Sequence, residues 1–231
     1  MRGLRFAALL VGCLLASAPA KADFLAGVEA YKAGDHAAAA AEFRRAAEAG
    51  HADAQYDLGL MYNRGEGVAQ DDAEAVKWWR LAAERGHAAA QNNLGIMLSL
   101  GQGTAKDQAA AVRWYRAAAM QGHADAAYNL ATMYETGRGT AVEHALAARW
   151  YGAAASQGLA KAQNNLGIAY EAGRGVPQDP VAALFWYLIA AGRGDAKATG
   201  NASRLAPLLA PEARLEAERR AERWLKAHPA A

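Results

Sequence analysis

The residues best suited to gripping another molecule are amides and phenols that recur at a fixed interval. Asn93, Asn129 and Asn165 stand 36 positions apart, with Asp57 in register before them and Asn201 after. One position earlier the series reads Tyr56, Asn92, Tyr128, Asn164. Asparagine is a poor helix-interior residue because its side chain competes for backbone hydrogen bonds, so a repeated one needs a reason. It can bridge adjacent repeats and satisfy buried polar groups. It can equally offer donors and acceptors to the backbone of a bound peptide. Helical periodicity turns the earlier series away from the core, which makes Tyr56 and Tyr128 the stronger contacts. Aromatic rings give contact area with little entropy lost. Asp53, Asn63, Asp125, Glu135, Lys161 and Glu171 lie around them and give the expected surface an acidic character.

Reactive constellations are missing from the sequence. The pairs Gly65/Gly67, Gly101/Gly103, Gly137/Gly139 and Gly173/Gly175 follow no strand pattern and lead into no Gly-Lys-Ser/Thr, so they are turns and not phosphate cradles. His51, His87 and His123 share one repeat position, too far apart to ligate one metal, and read as turn residues. No His-Glu-x-x-His, Gly-x-Ser-x-Gly or Ser-x-x-Lys occurs. The single cysteine, Cys13, excludes an internal disulfide and a Cys-based zinc site. The expectation is a protein without catalytic residues, metal or cofactor.

The same period defines the elements that hold these side chains. Trp78, Trp114, Trp150 and Trp186 recur with an aromatic after each, and Gly86, Gly122, Gly158 and Gly194 close the units. The units are 51–86, 87–122, 123–158 and 159–194. Each predicts two helices: one ending at the first glycine, where a left-handed residue is wanted, and one starting at Asp71, Asp107, Glu143 or Asp179, whose carboxylates cap the free N–H groups. Ala54, Leu58 and Tyr62 share the inner face of one first helix; Ala75, Trp79 and Ala82 share that of its second. Such a pair cannot bury its stripe alone, so the units must stack into a right-handed α-solenoid. The ends differ. Residues 23–50 predict a shorter capping hairpin, and 195–231 predict capping helices. The apolar run 181–191 should be covered by a terminal helix, 211–227, through Leu215, Trp224 and Leu225.

Composition narrows the setting. The 231 residues are 53% hydrophobic and 21% charged, with a formal charge of +2, too balanced for a dedicated nucleic-acid binder. Arg2 and Arg5, the apolar run 6–15 and the small residues around Ala20 and Ala22 predict a secretory signal peptide, 1–22, cut after Ala22. A ten-residue run is half of what a membrane span needs, so no stable span is expected. A lipoprotein reading on Leu10-Val11-Gly12-Cys13 is weaker, because Leu14 and Leu15 continue the apolar run. The mature chain would be periplasmic or secreted.

The segment Ala52-Asp53-Ala54-Gln55-Tyr56-Asp57-Leu58-Gly59-Leu60-Met61-Tyr62, then Gly65-Glu66-Gly67-Val68 and Trp78-Trp79-Arg80-Leu81-Ala82-Ala83, resembles the Sel1-like repeat, a relative of the tetratricopeptide repeat. The other units match nearly as well, with Ala131 in place of a glycine and Leu98 in place of a tyrosine. Residues 24–50 resemble a tetratricopeptide unit instead. The resemblance implies a solenoid whose concave side is lined by first helices. It also implies a scaffold for a protein or peptide partner in envelope regulation, exopolysaccharide control or host interaction. The partner-binding residues would be Asp53, Tyr56, Asp57, Asn63, Asn92, Asn93, Tyr128, Asn129, Glu135, Asn164, Asn165 and Glu171. The aromatics also permit a glycan. The rival class, a β-lactam- or peptidoglycan-binding or hydrolysing relative, lacks its cysteines and any evident nucleophile here.

Overall fold

The computed structural model describes residues 20–229, and these are all-α, with no strand among them. The signal-peptide and lipobox readings fall mainly on residues 1–19, outside the described residues. α1 covers 20–32. It is followed by α2 (His36–Glu48), α3 (Ala52–Arg64), α4 (Asp72–Glu84), α5 (Ala88–Leu100), α6 (Gln108–Met120), α7 (Ala124–Thr136), α8 (His144–Ser156), α9 (Ala160–Ala172), α10 (Pro180–Gly192), α11 (Ala196–Leu205), a 3-10 turn (Ala206–Leu208) and α12 (Pro211–Ala227). The odd-numbered helices are first helices of their hairpins and the even-numbered ones are second helices. The hairpins form two compact units that part between Ala118 and Ala119. The fold is a helical-repeat solenoid, and no described helix is long and apolar enough to cross a membrane.

Short side chains start the helices. His51, His87 and His123 accept the N–H three residues on through Nδ1, at 3.3, 3.1 and 3.3 Å, so the recurring histidines are N-caps. Asp71, Asp107 and Asp179 cap second helices in the same manner. Glu143 was expected to cap as well, but its side chain makes no such bond. The extra methylene carries its carboxylate past the amides that aspartate reaches.

In the first unit, Ala54, Leu58 and Met61 of α3 meet Ala39, Phe43 and Ala46 of α2 and Trp78 of α4. A fully buried leucine such as Leu58 is worth about 2 kcal/mol over an exposed one. A side chain at Gly95 would come within 2.7 Å of the Tyr115 ring, so glycine here admits the aromatic of the second helix. In the second unit, α10 packs against α9, α11 and α12. α12 covers α10 with Ala217 and Ala221, both buried, and with Trp224 and Leu225. Leu215 was expected to join them and instead stays 44% exposed. The small Ala217 and Ala221, four residues apart on one face, let α12 approach closely.

Within each unit, successive repeat hairpins are joined by two devices. The second glycine of three loops lies on the first turn of the preceding second helix: a Cβ on Gly103 would sit 2.2 Å from the Asp72 carbonyl oxygen, one on Gly67 2.1 Å from that of His36, and one on Gly175 2.1 Å from that of His144. The loop glycine is therefore needed for contact between repeats as much as for the turn. A buried glutamine makes the second joint. The Nε2 groups of Gln55, Gln91 and Gln163 donate to the carbonyls of Ala47, Ala83 and Ala155, in the last turn of the preceding second helix, at 2.9, 3.0 and 3.0 Å.

Gly86 has φ +87° with open space around it, whereas Gly103 has φ +61° and a backbone in its way. Gly86→Ala should cost only the left-handed strain, about 1 kcal/mol. Gly103→Ala should cost about 2–4 kcal/mol, strain and overpacking together. Urea unfolding of the two variants compares them directly, and equal losses would mean that the loop does not press on α4.

Candidate functional site

Two positions on each first helix, carrying the Tyr/Asn and Asp/Asn series, were the sequence candidates. In the first unit Tyr56 is half-buried and stacks on His87, with ring centroids 4.5 Å apart and planes 22° off parallel. Its hydroxyl lies beside the Asn93 side chain of the next first helix. The exposed Asp53 lies 3.5 Å from His87 Nε2. Asn92 is buried, and its Nδ2 donates to Asn93 Oδ1 at 3.4 Å. Asn63 turns to the second helix of its own hairpin and donates to Asp72 Oδ1 at 2.9 Å.

The second unit repeats the scheme. Lys161 Nζ lies 4.6 Å above the ring of half-buried Tyr128 and 2.8 Å from Asp125 Oδ1, so the cation and ring hold each other in place. Asn164 is buried; its Oδ1 accepts from Asn201 of α11 at 3.0 Å, and its Nδ2 donates to Asn165. Asn129 is half-buried on α7. Glu135 accepts the Tyr151 hydroxyl at 2.7 Å, and Glu171 accepts that of Tyr187 at 2.7 Å. Arg204 donates to Glu171 at 2.7 Å and, with the tyrosine, holds its carboxyl below the usual range. Burial pushes the Tyr151 and Tyr187 phenols up. These two glutamates tie first helices to second helices.

Asn92 and Asn164 depart from the expectation that their position faces away from the core. The amide ladder runs diagonally: Asn201 reaches back to Asn164, one position earlier in the preceding repeat, as Asn93 does to Tyr56. A short asparagine at that position is covered, whereas a tyrosine projects beyond the contact and keeps an open edge. The acidic character also fails in the second unit. A cavity of about 400 Å³ there is lined by Tyr128, Asn164 and Asn165 with Lys161, Lys197 and Asp195. The glutamine joint was the signal left unread, although Gln55, Gln91 and Gln163 share one repeat position.

Asp57 is the exception among the site residues. It is half-buried on α3 and, among the described residues, accepts no hydrogen bond and pairs with no cation. Burial, and then the charge of Asp53, push its carboxyl up from 3.8 to about 6. A raised folded-state value means that folding favours the protonated acid, so stability present below pH 4 is lost as the pH rises through 6. Asp57→Asn, the residue type found here in the other repeats, removes that loss. The melting temperature of the variant minus that of the parent should therefore grow from pH 4 to pH 7.5. A difference flat with pH would mean that Asp57 has a partner in solution.

A sequence model of the family described as Sel1 repeat matches residues 52–87, 88–123, 124–159 and 160–195. No curated protein gives a significant match. Among solved structures, c5321, a protective antigen present in uropathogenic Escherichia coli strains displaying an SLR fold, is 33% identical with a TM-score of 0.77, over 88% of this chain and 46% of that one. The chain thus spans about half the length of that relative. A Sel1 repeat protein from Oxalobacter formigenes is 31% identical with a TM-score of 0.76, over 87% of this chain and 84% of that one. Four matched repeats, which together cover more than half of its length, make this chain a member of the Sel1 repeat family.

Proposed function

We propose that the protein is exported and acts as a non-enzymatic scaffold that holds a protein or peptide segment against its first helices. Sel1 repeat proteins generally mediate protein–protein interaction. The observation that carries the reading here is the pair Tyr56 and Tyr128. Both rings are half-exposed, and both are clamped, one by His87 and the other by Lys161. A ring fixed before contact loses little entropy on binding, which is how aromatic anchors come to dominate interfaces. Asn93, Asn129 and Asn165 lie half-buried one position further on, with edges able to meet a peptide backbone. Export is supported by the basic head and apolar run of residues 1–15 followed by small residues to Ala22.

Crosslinking capture from the envelope tests the surface. Tyr56→Ala combined with Tyr128→Ala should lower capture at least tenfold while the helical circular-dichroism signal stays intact. Unchanged capture would discard these rings as contacts, and retention on a glycan resin in place of a protein would move the reading to a sugar partner. Export has its own check: protein recovered from the envelope should begin at Asp23, whereas a chain still starting at Met1 would overturn it.

A further inference from the structure

A cavity of about 300 Å³ opens in the first unit between α1, α2 and α3. Its apolar floor is Val28, Phe43, Leu60 and Met61. We propose that it receives an apolar side chain of a bound segment while a Lys or Arg next to that side chain pairs with Asp57. The proposal rests on the segment-binding reading and names what the segment must carry.

Size and charge lead to this ligand. Pockets for whole small molecules run from about 300 to 1,000 Å³, so this one suits one or two side chains. The other acid on its wall is already engaged: Glu66 takes the Tyr31 hydroxyl at 2.8 Å and lies 3.9 Å from Arg64. Asp57 has no such partner among the described residues, and Asp53, one turn away on α3, adds a second negative charge beside it. A half-buried carboxylate left unpaired is costly, and an incoming cation removes that cost. The carboxyl held near 6 reflects the same uncompensated burial. The remaining cation on the wall, Lys32 of α1, is exposed and makes no ion pair among the described residues, so it sets the competing, anionic choice.

Alanine-based hexapeptides, acetylated and amidated, carrying Leu-Arg, Leu-Gln, Leu-Glu or Ala-Arg at the centre, can be titrated calorimetrically into the full chain. Leu-Arg should bind tightest, with Leu-Glu and Ala-Arg each about tenfold weaker. Asp57→Asn should erase the preference for Leu-Arg over Leu-Gln without loss of thermal stability, and Asp57→Lys should turn the preference toward Leu-Glu. Equal binding of Leu-Arg and Leu-Glu, a preference for Leu-Glu in the unaltered chain, or no binding of any peptide overturns the assignment. Silent peptides alongside envelope capture that still depends on Tyr56 and Tyr128 would overturn this pocket alone. Loss of the tyrosine dependence as well would remove the segment-binding reading with it.

Discussion

A buried amide and a missing side chain join one hairpin to the next. Gln91 reaches the last turn of α4, and the loop at Gly103 rests on the first turn of the same helix. Both contacts end on backbone carbonyls, so they depend on the preceding helix being folded and not on its sequence. Neither can be made within a single hairpin. The stability of a repeat is accordingly held in its junctions, the condition under which a linear array behaves as a chain of nearest neighbours. The third repeat carries Ala127 where the others carry glutamine, and Ala127 is itself buried.

The same arrangement leaves the first helices with a distinctive surface. Their inner faces are consumed by the core, so what remains at the Tyr/Asn position is set by side-chain length. Asn92 and Asn164 vanish into the contact. Tyr56 and Tyr128 extend past it, and Asp57, where the other repeats have asparagine, is unpaired among the described residues. The repeats are thus told apart by their irregular positions. Asn63, Glu135 and Glu171 are engaged within their own hairpins, each bonded to the second helix.

Much of this was legible from the 36-residue period, because each recurrent residue answers a geometric demand. Histidine and aspartate recur where helices start, glycine where chains turn or touch, and aromatics where second helices meet first helices. The family relation followed from the same marks. What escaped was set by distances between repeats, which a period alone does not give. The burial of Asn164 needs Asn201 to reach across from α11. The failure of Glu143 to cap turns on one methylene, and the exposure of Leu215 on how closely two alanines bring α12 to α10. Gln55, Gln91 and Gln163 were visible as a repeat but gave no role until the preceding helix end stood beside them.

The central claim is that no hairpin is self-sufficient. The most direct measurement is far-ultraviolet circular dichroism with thermal melting of residues 51–86 alone, beside the fragment 20–118. The isolated hairpin keeps α3 and α4 but loses the Ala47 carbonyl that Gln55 binds and the His36 backbone on which Gly67 rests. It should be largely coil without a cooperative transition, while the longer fragment melts cooperatively from a helical state. A sharp helical melt of 51–86 by itself would contradict the account.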